Sequence, residues 1–302
     1  MSENIGFLGP GLMGRGIVRN LLAKGFKVTV YVHRDGLTLD ELTRAGASVT
    51  KSLAEVGEKN PTVMLCLPSS MEVEASILGT SGLLQSMKPG SIIIDLSTSL
   101  PASTQMLAGR LKDRQVDLLD APMTGSAPQA NAGELNLMIG GERNVYERCL
   151  PIFRAIAKNI IYVGASSHGH LVKLINNFLA QLNNAAVAEV LPLAVKAGVD
   201  LKAMYDAIRV SGGNSRVFET WVPGICRRDF TVTFRLKLAH KDMAYMSAVA
   251  REYNVPLPML NSLLTVLDLA KAAVLGDANT TALIKLWERV SGVEVRHDGL
   301  GR

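Results

Sequence analysis

Six residues near the start of the chain, Gly9-Pro10-Gly11-Leu12-Met13-Gly14, restrict its fold more than any other feature. They end an apolar run, "NIGFLG" (4–9), and open an amphipathic stretch, "GLMGRGIVRNLLAKG" (11–25), that Gly25 closes. With 27 glycines in 302 residues, the spacing G-x-G-x-x-G arises by chance; its place between a strand and a helix gives it meaning. There Gly9 permits a tight turn, Gly11 lets a pyrophosphate approach the backbone, and Gly14 allows close helix–strand packing. The helix N-terminus adds unpaired N–H groups and a positive dipole end. Leu12 and Met13 belong to the same loop and are cofactor-binding candidates with the three glycines.

The rest of the first half repeats the strand–helix alternation. "KVTVYV" (27–32), "PTVMLCLP" (61–68), "SIIIDLS" (91–97) and "VDLLDAP" (116–122) are rich in branched apolar residues. Helical patterns at 69–87 and 101–114 separate the later ones. Continuous apolar runs are what strands covered on both faces require, and the alternation predicts a parallel sheet with right-handed crossovers. "LNLMIGG" (135–141) and "NIIYVG" (159–164) extend it, with a helix between them. Beyond Ala165 the strand signal stops. Helical patterns fill 168–197, 200–210, 237–253, 256–275 and 278–291. The expectation is an α/β domain over 1–164 and an all-α domain over 165–302, joined by the long helix itself.

Composition excludes several classes. Hydrophobic residues make up 48% and charged residues 20%, enough apolar material for two cores. A net charge of +5 spread along the chain argues little for nucleic acid, while a mildly positive field suits a small anionic substrate or a phosphorylated cofactor. Three scattered cysteines, Cys66, Cys149 and Cys226, form neither a disulfide framework nor a metal spacing. The N-terminus lacks a basic region followed by an apolar one, and no apolar run approaches ~20 residues. A soluble, cytoplasmic protein with no membrane or nucleic-acid partner is expected, and no metal.

The end of the second strand bears on NAD against NADP. An acidic residue there bonds the ribose hydroxyls of NAD. The segment reads Tyr31-Val32-His33-Arg34-Asp35, and Arg34 with His33 suits a 2′-phosphate through charge-assisted hydrogen bonds. Asp35 keeps NAD open, as does a solvated Arg34. The reading leans to NADP.

Within "GHLVKLINNFLAQLNN" (169–184), Lys173, Asn177, Gln181 and Asn184 fall on one helical face, which His170 continues toward the N-terminus. Leu171, Val172, Leu174, Ile175, Phe178, Leu179 and Leu182 leave enough apolar surface to bury much of the helix. A buried lysine is poised for proton transfer near neutral pH. A lysine that snorkels along an exposed stripe fits the spacing equally well.

Four segments in order resemble the β-hydroxyacid dehydrogenase family, which includes 3-hydroxyisobutyrate dehydrogenases, tartronate semialdehyde reductases and sulfolactaldehyde reductase-like members. They are "IGFLGPGLMGRGIVRNL", "DAPMTGSAPQANAGELNLMIGG" (120–141), "GHLVKLINN" and "LKLAHKDM" (236–243), which together cover nearly the whole chain. The resemblance implies a Rossmann-type domain followed by a helical domain, with substrate in the cleft between them. It implies hydride transfer between NADP(H), or NAD(H), and a short 3-hydroxy acid or its semialdehyde. By the same resemblance Lys173 is the general acid and base, Asn177 orients the substrate, and Asp242 pairs with the lysine. Thr124 and Gly125 match the loop that binds the substrate carboxylate, and Thr98 lies near nicotinamide and substrate. Lys241, Leu67 and Pro68 match cofactor contacts, and Phe234 walls the substrate pocket. A homodimer or homotetramer through the helical domain is also implied.

The chain departs from the family at Thr124-Gly125-Ser126, where Ser-Gly-Gly is usual. The hydroxyl is kept, but a methyl group and the Ser126 side chain narrow the pocket and bear on substrate choice. Arg227, Arg228, Arg235, Lys237 and Lys241 crowd into 226–241 with few acids, and either gather an anionic substrate or form a solvated basic face. Two other functions share the architecture: an imine reductase, and a silent cofactor-binding interaction module. Each is expected to lack the lysine that this chain retains.

Overall fold

The computed structural model describes residues 3–32 and 37–300. The chain divides into two compact units, Met1–Lys173 and Leu174–Arg302. In the first, β1 (Asn4–Leu8), α1 (Gly14–Ala23), β2 (Lys27–Tyr31), α2 (Leu37–Arg44), β3 (Ser48–Thr50), α3 (Leu53–Lys59) and β4 (Thr62–Leu65) follow one another. Then come α4 (Ser70–Leu78), β5 (Ile92–Asp95), α5 (Pro101–Lys112), β6 (Asp117–Asp120), β7 (Met123–Thr124) and α6 (Ala127–Ala132). The last elements before the boundary are β8 (Leu135–Gly140), α7 (Arg143–Ile156) and β9 (Ala157–Gly164).

The strands form one sheet in the order β3-β2-β1-β4-β5-β6-β8-β7, with β9 also paired to β8. The six strands from β3 to β6 are mutually parallel, as the apolar runs predict. Met64, Ile92 and Ile94 face one core, while Val63, Leu65 and Ile93 face the other. Alternation along a strand sends neighbouring residues to opposite faces, so a strand covered by helices on both sides is apolar throughout.

The sheet's far end differs from the all-parallel expectation. β8 runs antiparallel to β6 and to β7, and only β9 returns parallel to β8. Between β6 and β8 the chain has a two-residue strand and a six-residue helix, so it turns back instead of making the long crossover that parallel pairing needs. The single helical pattern at 69–87 also divides. α4 ends at Gly79, and a separate 3-10 turn spans Leu83–Gln85, because Gly79 and Gly82 interrupt the helix.

The second unit is helical: α8 (His168–Lys196), which starts in the first unit, then α9 (Leu201–Ile208), α10 (Arg216–Cys226), α11 (Leu236–Glu252), α12 (Pro258–Ala272) and α13 (Ile284–Ser291). α10 escapes pattern reading because Pro223 and Gly224 lie inside it. α8 has 29 residues and an 18-residue window of mean hydropathy 1.3, so by length and composition it is able to cross a membrane, contrary to the expectation above. Its buried face mixes apolar Leu174, Val187 and Leu191 with carboxamides that are hydrogen-bonded, which is how a core helix behaves. Asn177, Gln181 and Asn184 are buried, whereas Ile175, Leu179, Val190 and Leu193 are exposed. The carboxamides thus take buried positions while part of the helix's apolar content faces outward.

Candidate active site

The glycine loop is built by close backbone approach. Gly9 has φ +86°, and a Cβ there would lie 2.2 Å from the Cys66 carbonyl oxygen. A Cβ on Gly14 would lie 2.2 Å from the Gly9 carbonyl oxygen. Gly11 is the opposite case: it is exposed, and nothing stands within 4 Å of where its Cβ would be. α1 begins at Gly14 after Met13 with no side-chain cap, and Leu12 is 43% exposed. The loop therefore presents open space and uncapped helix N–H groups to an anion, which fits a dinucleotide pyrophosphate. His33 and Arg34, the residues that bear on a 2′-phosphate, lie outside the described residues.

Of the other predicted cofactor contacts, Lys241 lies on α11, and Leu67, Pro68 and Thr98 sit at the carboxyl ends of neighbouring strands, where open α/β sheets bind ligands. Leu67 and exposed Pro68 follow β4, and half-buried Thr98 follows β5. A buried carboxylate, Asp95 at the end of β5, organises both loops. Its Oδ1 accepts from the Ser97 amide at 2.9 Å and its Oδ2 from the Ser99 hydroxyl at 2.8 Å. Ser97 Oγ in turn accepts from the Leu67 amide at 2.9 Å. The same Oδ2 lies 3.6 Å from Nε2 of His170, which is completely buried with its Nδ1 2.7 Å from Thr104 Oγ1.

Asp120 at the end of β6 does similar work for α8. Its carboxylate accepts from the Ser167 amide at 2.8 Å and the His170 amide at 3.0 Å, capping the first turn from another strand. A Cβ on Gly169 would lie 2.6 Å from the Asp120 carbonyl oxygen. The helix that carries half-buried Lys173 is thus fixed to the sheet three residues before the lysine. Asp95 and Asp120 went unread in the sequence, since their partners lie up to 75 residues away.

Thr124 ends β7, and Gly125 follows with φ +132°, a conformation side-chain-bearing residues avoid. Ser126 is the N-cap of α6: its amide and hydroxyl both donate to Gln129 Oε1, at 2.8 and 3.1 Å. The Ser126 side chain therefore serves the helix end, which gives the departure from Ser-Gly-Gly a local structural reason. Thr124 Oγ1 accepts from Asn136 Nδ2 at 3.1 Å.

In the second unit the polar stripe of α8 meets α11. Asn177 Nδ2 donates to Asp242 Oδ2 at 2.6 Å, and both residues are buried. Asn177 Oδ1 accepts from Asn176 at 3.1 Å, so the carboxamide is held at both ends. Asp242 Oδ1 lies 3.0 Å from Lys241 Nζ, which also sits 4.6 Å from the Tyr245 ring centre. Asp242 is only 1% exposed, so the carboxylate of this pair is buried while Lys241 is half-buried. Farther along, Asn184 donates to the Thr280 carbonyl at 3.0 Å, which ties α8 to the 3-10 turn at Thr280–Leu283. Half-buried Phe234 is fixed through its backbone, donating to Asn279 Oδ1 at 3.1 Å and accepting from Thr280 at 2.9 Å.

Most of the basic stretch has partners within this chain. Arg227 donates to the Leu300 carbonyl at 2.6 Å, Arg228 pairs with Glu288, and Arg235 and Lys237 share Asp277. Arg227, Arg235 and Lys237 are exposed, so these contacts lie on a solvated face, while Arg228 is half-buried. Burial, then the nearby Asp95 charge, pushes the pKa of the Cys66 thiol up to about 12, and burial pushes those of Cys149 to about 12 and Cys226 to about 11.

A largely parallel sheet whose first crossover is a glycine loop open to an anion defines a dinucleotide-binding domain. Comparison with known proteins makes this specific. Residues 4–164 match the NAD binding domain of 6-phosphogluconate dehydrogenase, and residues 167–287 match the NAD-binding domain of NADP-dependent 3-hydroxyisobutyrate dehydrogenase. The 2-(hydroxymethyl)glutarate dehydrogenase of Eubacterium barkeri is 33% identical over 97% of this chain and 98% of its own. The 2-hydroxy-3-oxopropionate reductase of Escherichia coli is 32% identical over 83% of this chain and 86% of its own. A crystal structure of 3-hydroxyisobutyrate dehydrogenase from Salmonella typhimurium superposes with TM-score 0.85 at 28% identity, covering 94% of this chain and all of that one. An imine reductase from Pseudomonas sp. shares the fold at 19% identity and TM-score 0.55. The chain belongs to the β-hydroxyacid dehydrogenase family, NAD(P)-dependent oxidoreductases of hydroxy acids.

Proposed function

We propose that the chain interconverts a short 3-hydroxy acid and its semialdehyde with NADP(H), using Lys173 as general acid and base. The observation that carries this is the buried Asn177–Asp242 hydrogen bond, one helical turn beyond Lys173. It fixes a carboxamide whose second N–H is a donor for the substrate oxygen. The bound nicotinamide supplies or accepts the hydride. As the aldehyde is reduced, negative charge grows on its oxygen; the Lys173 ammonium stabilises that charge and then gives up a proton. In oxidation the neutral amine takes the hydroxyl proton back.

Thr124 and Gly125 bind the carboxylate in this reading, beside Ser126, while Thr98 and Phe234 bound the substrate. Gly9, Gly11, Leu12, Met13, Gly14, Leu67, Pro68 and Lys241 contact the cofactor, and His33 and Arg34 select its 2′-phosphate. The relatives named above support the substrate class: 2-(hydroxymethyl)glutarate, 2-hydroxy-3-oxopropionate and 3-hydroxyisobutyrate each place an oxidisable or reducible carbon β to a carboxylate. Exposed Ile175, Leu179, Val190 and Leu193 on one face of α8 support assembly as a homodimer or homotetramer.

A panel of C3–C5 hydroxy acids and semialdehydes followed by nicotinamide absorbance tests the reading. Lys173→Ala is expected to lower kcat by about 10²–10⁴-fold with the fold intact; retention of more than about a tenth of kcat excludes the proton-transfer role. NADPH is expected to turn over faster than NADH, and Arg34→Ala to remove the preference. An NADH preference that survives Arg34→Ala refutes the NADP assignment.

A further inference from the structure

We propose that Asn136, on β8, is a positioning residue that fixes the Thr124 hydroxyl as a hydrogen-bond donor toward the anionic end of the substrate. The inference rests on the role proposed above for Thr124 and adds what decides the direction of its proton. Thr124, Asn136 and Asn159 are register partners on β7, β8 and β9, Thr124 opposite Asn136 and Asn136 beside Asn159. Partners on neighbouring strands project to the same face. Leu135, Leu137 and Ile139, which alternate with Asn136 and Met138, are completely buried on the other face. The three polar side chains therefore form a row on the less buried face. Within it Asn159 Nδ2 donates to Asn136 Oδ1 at 2.6 Å, and Asn136 Nδ2 donates to Thr124 Oγ1 at 3.1 Å.

A hydroxyl has one proton to give and two lone pairs to receive. Once a lone pair on Thr124 Oγ1 accepts the Asn136 N–H, its proton turns elsewhere and becomes the outgoing donor, which is what a carboxylate requires. The row has two self-consistent directions. If both carboxamides reversed, Asn136 Oδ1 would capture the threonine proton, leaving an outward lone pair that repels an anion. Asn159 biases the row toward the donor-out arrangement before substrate arrives. Hydrogen bonds to charged acceptors are the strong ones, so the loss of this donor falls on substrate binding and not on the chemical step.

The test is steady-state kinetics of the full chain with a hydroxy acid the wild type turns over, and with that acid's methyl ester. Asn136→Asp puts an acceptor opposite Thr124. It is expected to raise KM for the acid about 10- to 100-fold, with kcat within about threefold and kcat/KM for the ester little changed. Asn136→Thr keeps a cross-strand partner able to donate, and KM for the acid should stay within about threefold of wild type. Asn159→Leu, at an exposed position, adds no charge and frees the Asn136 amide to reverse; KM for the acid should rise about two- to fivefold. An unchanged KM for the acid in both Asn136→Asp and Asn159→Leu overturns the inference, as does an equal loss on acid and ester. If Asn136→Asp does not fold, Asn159→Leu decides alone. A wild-type chain that turns over no hydroxy acid or semialdehyde overturns the proposed function, and this inference with it.

Discussion

The glycine loop and the α8–α11 pair solve the same problem, holding a polar group in place, by opposite means. The loop is made of backbone: a Cβ on Gly9 or Gly14 would come within 2.2 Å of a carbonyl oxygen, and Gly11 looks onto open space. The helix pair is made of side chains: Asn177 and Lys241 are both held by the buried Asp242 carboxylate. A backbone site tolerates most side chains nearby but no Cβ where the chain is tight. A side-chain cluster tolerates backbone neighbours but not the loss of any member, because each buried polar group depends on its partner.

The largest expected effect breaks the side-chain cluster. Asp242→Ala strands the buried Asn177 amide and removes the carboxylate beside Lys241, and should cost about 3 kcal/mol of stability, the low end for a broken buried pair because Lys241 is 18% exposed. Urea unfolding measures it; a loss under about 1 kcal/mol would mean that Asp242 is not the hub of the cluster. Next comes a contrast within the loop. Gly9→Ala forces a side chain onto φ +86° and into the Cys66 carbonyl, and should cost about 2–3 kcal/mol. Gly11→Ala meets nothing, so stability should change by less than about 0.5 kcal/mol while the cofactor KM rises on the order of tenfold. Equal destabilisation by the two substitutions would remove the distinction between a structural and a ligand-facing glycine.

The smallest effect concerns pH. Folding raises the Cys66, Cys149 and Cys226 thiols to about 12, 12 and 11. A raised acid favours its neutral form in the folded state, so this stabilisation is complete below the unfolded thiol range near 9 and is lost as pH rises toward 11–12. Denaturation midpoints should hold to about pH 8.5 and then fall. Replacing Cys66 by Ser should flatten part of that fall, and no flattening would assign it to other groups.

Much of the first unit was legible locally. The apolar runs gave β1, β2, β4, β5 and β6, and the glycines gave the turn into α1, because both patterns carry their cause within a few residues. The reversal at β8 was not legible, since direction depends on how the connection packs. The His170–Asp95–Asp120 anchor was hidden because its members come from three elements. Pattern reading placed Lys173, Asn177, Gln181 and Asn184 on one face of α8, yet periodicity says which residues share a face and not which face turns inward.

The sequence by itself determined the alternation that makes a parallel sheet, the glycine loop at its first crossover and the polar line along α8. Short-range sterics and side-chain period suffice for these. Only the tertiary structure decided that this polar line is buried, that Asn177 meets Asp242 across 65 residues, and that Ser126 caps a helix. Those outcomes follow from burial: a carboxamide or carboxylate removed from water must find a partner, and the fold alone decides which one is within reach.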